Sequence, residues 1–269
     1  MDLELANSVV TVVGAAHGVG SEIAKAFARE QAQLALIDID DSVNVTAQSL
    51  ETTYQVPVTA VVADVTDEMA IRNAATVIAN RLGPVEHVVV AAGIGSQKFG
   101  DPFWNLSPQD WPRVIGVNLM GPVHVAHAFA PMLVAQRQGT CTFIASVAGQ
   151  IGSQSDPPYS ASKAALINFM QCAAKDFAQH NVRVNAISPG MVKTALNEGV
   201  WKGWNQLQPA EGKLSYEDWA KEKIEKLTPL GRWQEAADIA NAALFLASSQ
   251  AKNITGQTIN VDGGWVMHS

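Results

Sequence analysis

Short apolar runs recur along the chain, separated by longer stretches in which apolar residues lie three and four positions apart. Most of the runs are continuously apolar rather than alternating, which is typical of strands buried on both faces of a parallel sheet. The stretches between them have the spacing of amphipathic helices, which pack one face on such a sheet. The predicted strands cover residues 9–13, 34–37, 58–63, 87–92, 141–145, 182–187 and 258–261.

The regular alternation of strand and helix predicts βαβ units and an α/β fold. We expect a single Rossmann-type, doubly wound parallel sheet of about seven strands, flanked by helices on both faces. The 269 residues approach the upper size of one hydrophobic core, and no linker or internal repeat divides them. One domain is therefore predicted over residues 1–269.

Residues 188–230 interrupt this alternation, because they contain no convincing strand. Connections of this length are usually functional or hold helices of their own, so a substrate loop or lid is predicted here. A helix is expected over residues 215–227, with Ser215 as its cap. Trp201 and Trp204 have helical spacing; they either close a lid over the site or pack against the core or another subunit.

Composition narrows the class of protein. Hydrophobic residues make up 48% and charged residues 16% of the chain, which is typical of a globular protein. The net charge of −7 argues against nucleic acid and anionic membranes as partners. No uninterrupted apolar run approaches a membrane span and the N-terminus is acidic, so a cytoplasmic protein is expected. Cys141 and Cys172 are predicted to be buried thiols, and no metal site is predicted.

A glycine-rich turn joins the first predicted strand to the first helix. Gly14, Gly18 and Gly20 follow the spacing G-x-x-x-G-x-G, with His17 and Val19 between them. Glycines let the backbone turn tightly and approach a pyrophosphate, and the helix N-terminus offers free N–H groups and a positive dipole end. An ordinary strand–helix turn is the alternative, but the βαβ context favours a dinucleotide site.

An acid at the end of the second strand bears on the choice of cofactor. Asp38 lies eighteen residues after Gly20, where a carboxylate can bind both hydroxyls of an adenosine ribose and repel a 2′-phosphate. NAD is therefore predicted rather than NADP. His17 is the one feature that favours a phosphate, but it is mostly neutral at pH 7. Asp64, after the third strand, is predicted to reach the adenine amino group.

Tyr159 and Lys163 are four residues apart in the stretch DPPYSASKAAL, so on a helix both project from one face. Asp156 is predicted to cap that helix, and Pro157 suits its first turn. A free tyrosine has a pKa near ~10, and an ammonium group close by is expected to lower it. Such a phenol can give a proton to a carbonyl oxygen or take one from an alcohol. A surface pair without function is the alternative for these two residues alone.

Two further residues favour the catalytic interpretation of this pair. Ser146 follows a predicted strand, at the edge where open α/β sheets place their sites, and precedes Tyr159 by thirteen residues. Asn118 lies inside a predicted helix, where asparagine is a poor helix former and another role is favoured. A solvated or helix-bending amide is the alternative for Asn118.

In combination these motifs resemble the short-chain dehydrogenase/reductase family, from residue 9 to residue 261. The family implies a Rossmann-type domain, usually tetrameric, that oxidises alcohols or reduces ketones with a nicotinamide cofactor. The resemblance rests on GAAHGVG, the DV pair at Asp64 and Val65, VNLMG, the serine of ASVAG, YSASK, SPG at 188–190 with Thr194, and VDGG at 261–264.

The resemblance also implies roles for individual positions. Tyr159 is the implied acid/base, Ser146 the hydrogen-bond partner of the substrate oxygen, and Lys163 the residue that binds the nicotinamide ribose and lowers the tyrosine pKa. Asn118 would hold a water that continues the proton relay through Lys163. Besides Tyr159, Lys163 and the glycine-turn and acidic residues above, the implied cofactor contacts are Ile39, Val65, Ala92, Gly93, Pro189, Gly190, Val192 and Thr194.

The chain departs from the family pattern at two places. Threonine usually precedes the first glycine and NNAG usually follows the fourth strand, but Val13 and the VAAG of residues 90–93 stand here. We infer that a polar contact between adjacent strands has been replaced by apolar packing on both sides. Losing both partners can be nearly neutral, whereas losing one leaves a buried polar group unpaired.

The substrate pocket is expected around the four catalytic positions and in the variable stretch. Its candidates mix apolar and hydroxyl-binding side chains without an obvious cation, apart from Lys193 and Lys202, which the pattern does not place. A neutral secondary alcohol or ketone, such as a polyol, sugar or cyclic alcohol, is the predicted substrate, and a homotetramer the predicted assembly. The alternatives are an NADP-dependent ketone reductase and a non-catalytic nucleotide-binding scaffold. The candidate residues are Ser96, Gln97, Phe99, Gln150, Ile151, Ser153 and the segment 191–204.

Overall fold

The computed structural model describes residues 2–100, 102–152 and 156–267. Within these ranges, seven strands form one sheet in the order β3-β2-β1-β4-β5-β6-β7, and every neighbouring pair is parallel. The predicted α/β fold and its strands are thereby confirmed. The strands are β1 Val9–Val13, β2 Gln33–Asp38, β3 Val58–Val62, β4 His87–Val90, β5 Thr140–Ile144, β6 Arg183–Pro189 and β7 Thr258–Val261.

Helices connect the strands, and side-chain caps predicted from the sequence start two of them. Asp156 caps the sixth helix and Ser215 the eighth, each accepting a hydrogen bond from a first-turn amide. The helices are α1 Gly18–Arg29, α2 Val43–Tyr54, α3 Glu68–Leu82, α4 Trp111–Ile115, α5 Gly121–Gln136, α6 Pro157–Ala178, α7 Ala195–Gln206, α8 Tyr216–Leu227 and α9 Ala236–Ala247, with a π-turn, Gly116–Met120, between α4 and α5.

The core lies on both faces of the sheet, as the continuous apolar runs predicted. Because successive side chains of a strand point to opposite faces, Val10 and Val12 of β1 join the apolar cluster formed with α1 and α9. Val9 and Val13 join the opposite cluster, which α3, α5 and α6 complete. This packing explains why the strands carry no polar alternation.

The strand order reverses between β1 and β4, since β1 pairs with β2 on one side and with β4 on the other. In open α/β sheets, the carboxyl ends of the strands at such a reversal diverge and leave a crevice. The loops after β1 and β4 therefore frame the place where the topology puts a ligand site.

The stretch 188–230 contains α7 and α8, which confirms the predicted helix that follows Ser215. An aromatic cluster, defined here as Trp201, Trp204, Tyr216, Trp219 and Trp233, packs these helices together through ring contacts with centroids 5.6–6.4 Å apart. Trp219 is 3% exposed. The two tryptophans of α7 therefore pack against the protein, which favours the packing interpretation over a direct lid contact.

The sequence-based expectations for a membrane span and for the two cysteines have different outcomes. The helical stretch Pro108–Gln136 is long and apolar enough to cross a membrane by length and composition, although its apolar residues form no long uninterrupted run. It packs against α3 and α6, and a core helix passes the same test. Cys141 in β5 is buried as predicted, but Cys172 is exposed, because it lies on a turn of α6 that faces away from the sheet.

Candidate active site

A cavity of about 750 Å³ opens at the carboxyl ends of the strands, where the order reverses. It extends from the glycine turn after β1 to the start of α6, and is large enough for a cofactor and a small substrate. All the residues named above as candidate catalytic or cofactor contacts line it, except that Asn118 lies behind its wall. The structure thus places the residues predicted from the sequence around one cavity.

The glycine turn fits a pyrophosphate. Gly14 has a φ of +83°, and a Cβ there would lie 2.5 Å from the backbone nitrogen of Ala92. A Cβ at Gly20 would collide with the carbonyl oxygen of Gly14. Gly18 instead has open space around it, so a ligand can approach the backbone there. The side chain of His17, the N-cap residue of α1, makes no capping hydrogen bond in the described structure, which leaves the first-turn amide groups for an anion.

Two acids stand at the ribose end of the cavity. The Asp38 carboxylate accepts hydrogen bonds from the backbone nitrogens of Ala16, at 2.9 Å, and Asp40, at 3.0 Å. Hydrogen bonds from Ser42 and His17 hold the pKa of the exposed Asp40 carboxyl at about 2, so this acid is charged at neutral pH. His17 Nε2 lies 3.1 Å from Asp40 Oδ2. The histidine therefore already has an acidic partner, and the local charge opposes a 2′-phosphate.

The loops after β3 and β4 form the adenine side of the cavity. Asp64 accepts a hydrogen bond from the backbone nitrogen of Thr66 at 2.8 Å, and its neighbour Asp67 caps α3. The other residues here that the sequence predicted and the cavity contains are Ile39, Val65, Ala92 and Gly93.

Tyr159, Lys163 and Ser146 meet at the other end of the cavity. The first turns of α6 place Lys163 Nζ 5.6 Å from the centroid of the Tyr159 ring, which confirms the shared helix face. Lys163 is 3% exposed, and its Nζ donates to the carbonyl oxygen of Ile144 at 2.7 Å. Ser146, just after β5, is hydrogen-bonded to Tyr159 through its side chain. The hydroxyls of Ser146 and Tyr159 can therefore share one substrate oxygen.

The expected lowering of the tyrosine pKa is wrong for the cofactor-free protein. Burial raises the pKa of Tyr159 to about 12; the Ser146 hydrogen bond lowers it and the negative charge of Asp156 raises it further. Burial also lowers the pKa of Lys163 to about 8. Desolvation outweighs the charge pair because the ammonium lies over the ring and bonds to the Ile144 carbonyl.

Asn118 lies in the π-turn and is fully buried. Its Oδ1 accepts from the backbone nitrogen of Ile94 at 2.8 Å, and its Nδ2 donates to the Ile94 carbonyl and to Ser162 Oγ. The side-chain amide is thus held by Ile94 and Ser162. A Cβ at Gly93 would lie 3.2 Å from Lys163 Nζ and 3.5 Å from Asn118 Oδ1, so the two residues meet behind this glycine.

The loop after β6 closes the nicotinamide side. Thr194 caps α7 by accepting from the backbone nitrogen of Asn197, at 3.4 Å. A Cβ at Gly190 would lie 2.9 Å from Asp262, whose carboxylate is bonded to the amides of Gly264 and Val266. The C-terminal motif VDGG thus supports this loop. The sequence-predicted residues that line the cavity here are Pro189, Gly190, Val192 and Thr194.

Part of the predicted substrate set lies elsewhere. Gln150 is hydrogen-bonded to Asn260, Ile151 is exposed, and Ser153 lies outside the described residues. Lys193 and Lys202 form surface ion pairs with acids of α8 and α7. The backbone nitrogen of Ser96 bonds to Asp156, and Gln97 does not line the cavity. Besides Val192 and Thr194, the predicted residues that do line it are Phe99, Met191, Ala195, Leu196, Asn197 and Val200.

Other cavity residues were missed as site residues. Asp156 was predicted only as a helix cap, yet its carboxylate lies in the cavity wall. Arg113 of α4 and Trp265 after β7 also line it. Their sequence neighbourhoods carry no motif for a site, although the three-residue spacing of Asp156 and Tyr159 on one helix could have indicated that the acid lies near the tyrosine.

The departure from the family at Val13 is explained by the sheet. Val13 pairs in register with Val90, and the two residues are 0% and 1% exposed. Both belong to the apolar cluster on the α3, α5 and α6 face. The packing between Val13 and Val90 is therefore apolar on both sides.

Comparisons with known proteins agree with this arrangement. A family model described as enoyl-(acyl carrier protein) reductase matches residues 14–266. A 3-oxoacyl-(acyl-carrier-protein) reductase of Thermotoga maritima is 32% identical over 269 residues, covering 98% of this chain and 100% of the relative. A galactitol 2-dehydrogenase of Agrobacterium fabrum is 34% identical over 266 residues, covering 97% and 98% of the two chains.

Solved structures extend the comparison. An NAD⁺-bound xylitol dehydrogenase superposes with a TM-score of 0.90 at 26% identity, covering 97% of this chain and 100% of the other. The L-sorbose reductase of Gluconobacter frateurii, complexed with NADPH and L-sorbose, gives the same TM-score and identity over 100% of both chains. With the fold, the cavity and these relatives in agreement, the chain belongs to the short-chain dehydrogenase/reductase family of oxidoreductases, which act on alcohol and ketone groups.

Proposed function

We propose that this protein is an NAD(H)-dependent oxidoreductase that interconverts a neutral secondary alcohol and its ketone. One observation carries the proposal: a continuous cavity joins the carboxylate of Asp38 to the hydrogen-bonded hydroxyls of Tyr159 and Ser146. One end suits a ribose with free hydroxyls, and the other suits an oxygen that gains or loses a proton.

The preference for NAD is supported by charge. Asp38 uses its carboxylate oxygens on two backbone amides and retains further acceptor positions for ribose hydroxyls. Asp40 adds a second negative charge close by, and His17 is directed to that acid. Relatives differ in cofactor, since the xylitol dehydrogenase holds NAD⁺ and the L-sorbose reductase holds NADPH.

Replacement of Asp38 tests the cofactor preference. We expect the wild-type protein to use NAD with a higher kcat/KM than NADP at equal concentration. In Asp38→Ser this ratio should fall at least about tenfold, which corresponds to about 1.4 kcal/mol. Asp176→Ser, on the exposed face of α6, makes the same change in net charge and should keep the wild-type ratio. A wild-type preference for NADP would overturn the assignment of NAD.

In the proposed reaction, the bound nicotinamide dinucleotide supplies hydride chemistry at the substrate carbon. Ser146 Oγ donates a hydrogen bond to the substrate oxygen and fixes its position beside Tyr159. Because the pKa of Tyr159 is about 12 in the cofactor-free protein, its hydroxyl is protonated at neutral pH and ready to protonate a ketone oxygen. Alcohol oxidation needs the deprotonated form, so that direction should accelerate as the pH rises.

Lys163 and Asn118 complete the site behind the tyrosine. Lys163 Nζ uses one of its donors on the Ile144 carbonyl and keeps others for the nicotinamide ribose. The side-chain amide of Asn118 accepts a hydrogen bond from the N–H of Ile94 and donates one to the carbonyl oxygen of Ile94. These two bonds hold the loop after β4 beside the cavity. As the family resemblance implies, Asn118 would hold a water that continues the proton relay from Tyr159 through Lys163 to solvent.

Replacing Tyr159 with Phe separates an enzyme from a nucleotide-binding scaffold. The variant should bind NADH with wild-type affinity, measured by fluorescence titration, and lose about 10²- to 10⁴-fold in turnover. Tyr54→Phe, on α2 and away from the cavity, is the matched control and should keep full activity. If the wild-type protein binds NADH and turns over no alcohol or ketone in a broad panel, the scaffold is the correct alternative.

A 3-oxoacyl thioester reductase is the second candidate. The apolar cavity residues Phe99, Leu196, Val200 and Trp265 would suit an acyl chain, and the Thermotoga maritima relative bears that name. Acetoacetyl-CoA and a set of polyols, assayed with both cofactors, distinguish the two functions. We also propose that the chain is a single domain and that the protein is a cytoplasmic homotetramer. Size-exclusion chromatography with light scattering measures the molar mass and so tests the number of subunits.

A further inference from the structure

Asp156 is a carboxylate built into the wall of the catalytic cavity. It precedes Tyr159 by three residues at the start of α6, is 4% exposed, and lines the same cavity as Tyr159 and Ser146. Its charge lies close enough to Tyr159 to raise the pKa of the phenol. A substrate oxygen held by Tyr159 and Ser146 would thus have this acid as a neighbour.

The hydrogen bonds of Asp156 leave it unsaturated. Its Oδ2 accepts from the backbone nitrogen of Ser96 at 2.8 Å, its Oδ1 accepts weakly from that of Tyr159 at 3.3 Å, and the Ser96 side chain donates a third hydrogen bond to the carboxylate. Two carboxylate oxygens offer about four acceptor positions, so three hydrogen bonds leave capacity for one more, and Asp156 lines the cavity from which a ligand could donate it. In the described parts of the chain, no lysine, arginine or histidine forms a salt bridge with Asp156.

A cap alone does not explain a buried charge here. A buried carboxylate without a cation is unfavourable, and burial raises the pKa of Asp156. Neutral hydroxyls cap two other helices, Thr194 for α7 and Ser215 for α8, and the carboxylate of Asp67 that caps α3 is exposed rather than buried. Serine and threonine are good caps, so capping by itself does not require the charge at position 156.

The surrounding loop is built to hold the carboxylate close. A Cβ at Gly95 would lie 2.9 Å from Asp156 Oδ2 and 2.9 Å from the ring of Phe99. Glycine at this position therefore lets an acceptor and an apolar ring edge approach the same loop. Such a combination suits a molecule that carries both hydroxyl groups and C–H surface, as polyols and sugars do.

We propose that Asp156 determines specificity by accepting a hydrogen bond from a second hydroxyl of the substrate, while the first hydroxyl is held by Tyr159 and Ser146. This inference rests on the proposed function and narrows its substrate class to polyols, sugars and diols. A carboxylate accepts hydrogen bonds from hydroxyl groups and repels the negative charge of carboxylates and phosphates. The same residue therefore disfavours anionic substrates.

The test compares a diol with its deoxy analogue. Cyclohexane-1,2-diol and cyclohexanol differ by one hydroxyl, and xylitol extends the series. In Asp156→Asn and Asp156→Ser, kcat/KM for the diol and for xylitol should fall about 10- to 100-fold, because a hydrogen bond to a charged group is lost. Any change in the Tyr159 pKa acts on cyclohexanol as well, so the loss is read as a fall of about 10- to 100-fold in the ratio of kcat/KM for the diol to kcat/KM for cyclohexanol. Asp67→Asn is the control, because it removes the charge of the residue that caps α3 outside the cavity. It should leave kcat/KM unchanged for both the diol and cyclohexanol.

The outcomes separate specificity from positioning. An equal loss on the diol and on cyclohexanol would mean that Asp156 acts through Tyr159, and no loss on either would mean that it does not contact substrate; both overturn the inference. Retained NADH affinity and melting temperature show that the variants are folded.

A binding arm covers failure of the proposed function itself. If the wild-type protein oxidises none of these alcohols, the proposed activity fails. Thermal stabilisation of the NADH complex by xylitol that is lost in Asp156→Asn would still support a hydroxyl-binding carboxylate. Its absence in the wild-type protein would overturn this inference as well.

Discussion

Replacing Val13 with threonine would place a buried hydroxyl between two apolar strand neighbours. Val13 is fully buried, and its register partners on the two adjacent strands are Val90 and Ile37, which are 1% and 0% exposed. Valine and threonine have nearly the same shape, so the substitution exchanges a methyl group for a hydroxyl and changes packing little. Its effect on stability therefore measures the polarity of this position.

The expected magnitude follows from burial. A buried hydroxyl without a partner costs about 1–3 kcal/mol. With an unfolding entropy of roughly 2.1 cal/mol/K per residue, a 269-residue chain loses about 2 °C in Tm per kcal/mol. Val13→Thr should thus lower the Tm by about 2–6 °C.

The same strand offers the reverse substitution. Thr11 lies two residues earlier, on the same face of β1, and is 0% exposed. Its Oγ1 has no hydrogen-bond partner among the described residues. Thr11→Val removes that unpaired group and should raise the Tm, by up to the same amount.

Urea and thermal unfolding of the cofactor-free protein measure both variants, with equal m-values as evidence that the compactness of the two states is unchanged. Adding Val90→Asn to Val13→Thr should recover part of the loss, because the asparagine supplies a partner on the neighbouring strand. A more stable Val13→Thr, or a Thr11→Val variant destabilised by more than about 1 kcal/mol, would refute the reasoning.

Three further predictions follow from burial and close contacts. Burial lowers the pKa of His87 to about 4, so between about pH 6.5 and pH 4 the unfolded chain binds a proton that the folded protein does not. The free energy of unfolding should therefore fall by about 3 kcal/mol as the pH drops through this window. Urea titrations at several pH values should show this dependence in the wild-type protein and not in His87→Gln. A Cβ at Gly203 of α7 would lie 3.0 Å from the Phe99 Cβ, whereas a Cβ at Gly199 would make an ordinary contact with the Phe99 ring at 3.7 Å. Gly199→Ala should therefore raise the free energy of unfolding by up to about 1 kcal/mol, and Gly203→Ala by less or not at all. Equal Tm values for the two variants would contradict this. In an ultraviolet titration of the cofactor-free protein, the difference between wild type and Tyr159→Phe should show a phenolate that forms only above about pH 11, and ionisation below pH 10 would disprove the raised pKa.

The sheet and the cofactor half of the site could be predicted because their information is local. A continuous apolar run predicts that both faces of a strand are buried. The spacing of Gly14 and Gly18 predicts a tight backbone turn that a ligand can approach. Tyr159 and Lys163 share a helix face through their four-residue spacing alone. None of these conclusions depends on which distant segment packs nearby.

The tertiary structure decided what depends on contacts between distant segments. Spacing placed an ammonium near a phenol, but desolvation by the surrounding cavity wall determined the direction of both pKa shifts. The carboxylate of Asp156 became part of the cavity only because the loop around Ser96, sixty residues earlier in the chain, folds against it. Likewise Trp201 and Trp204 joined the aromatic cluster because α8 and Trp233 pack against them. Local pattern determined the elements and the turn chemistry, because periodicity and backbone freedom are properties of short segments. Burial and electrostatics arise only when those segments meet, so the folded chain alone decided them.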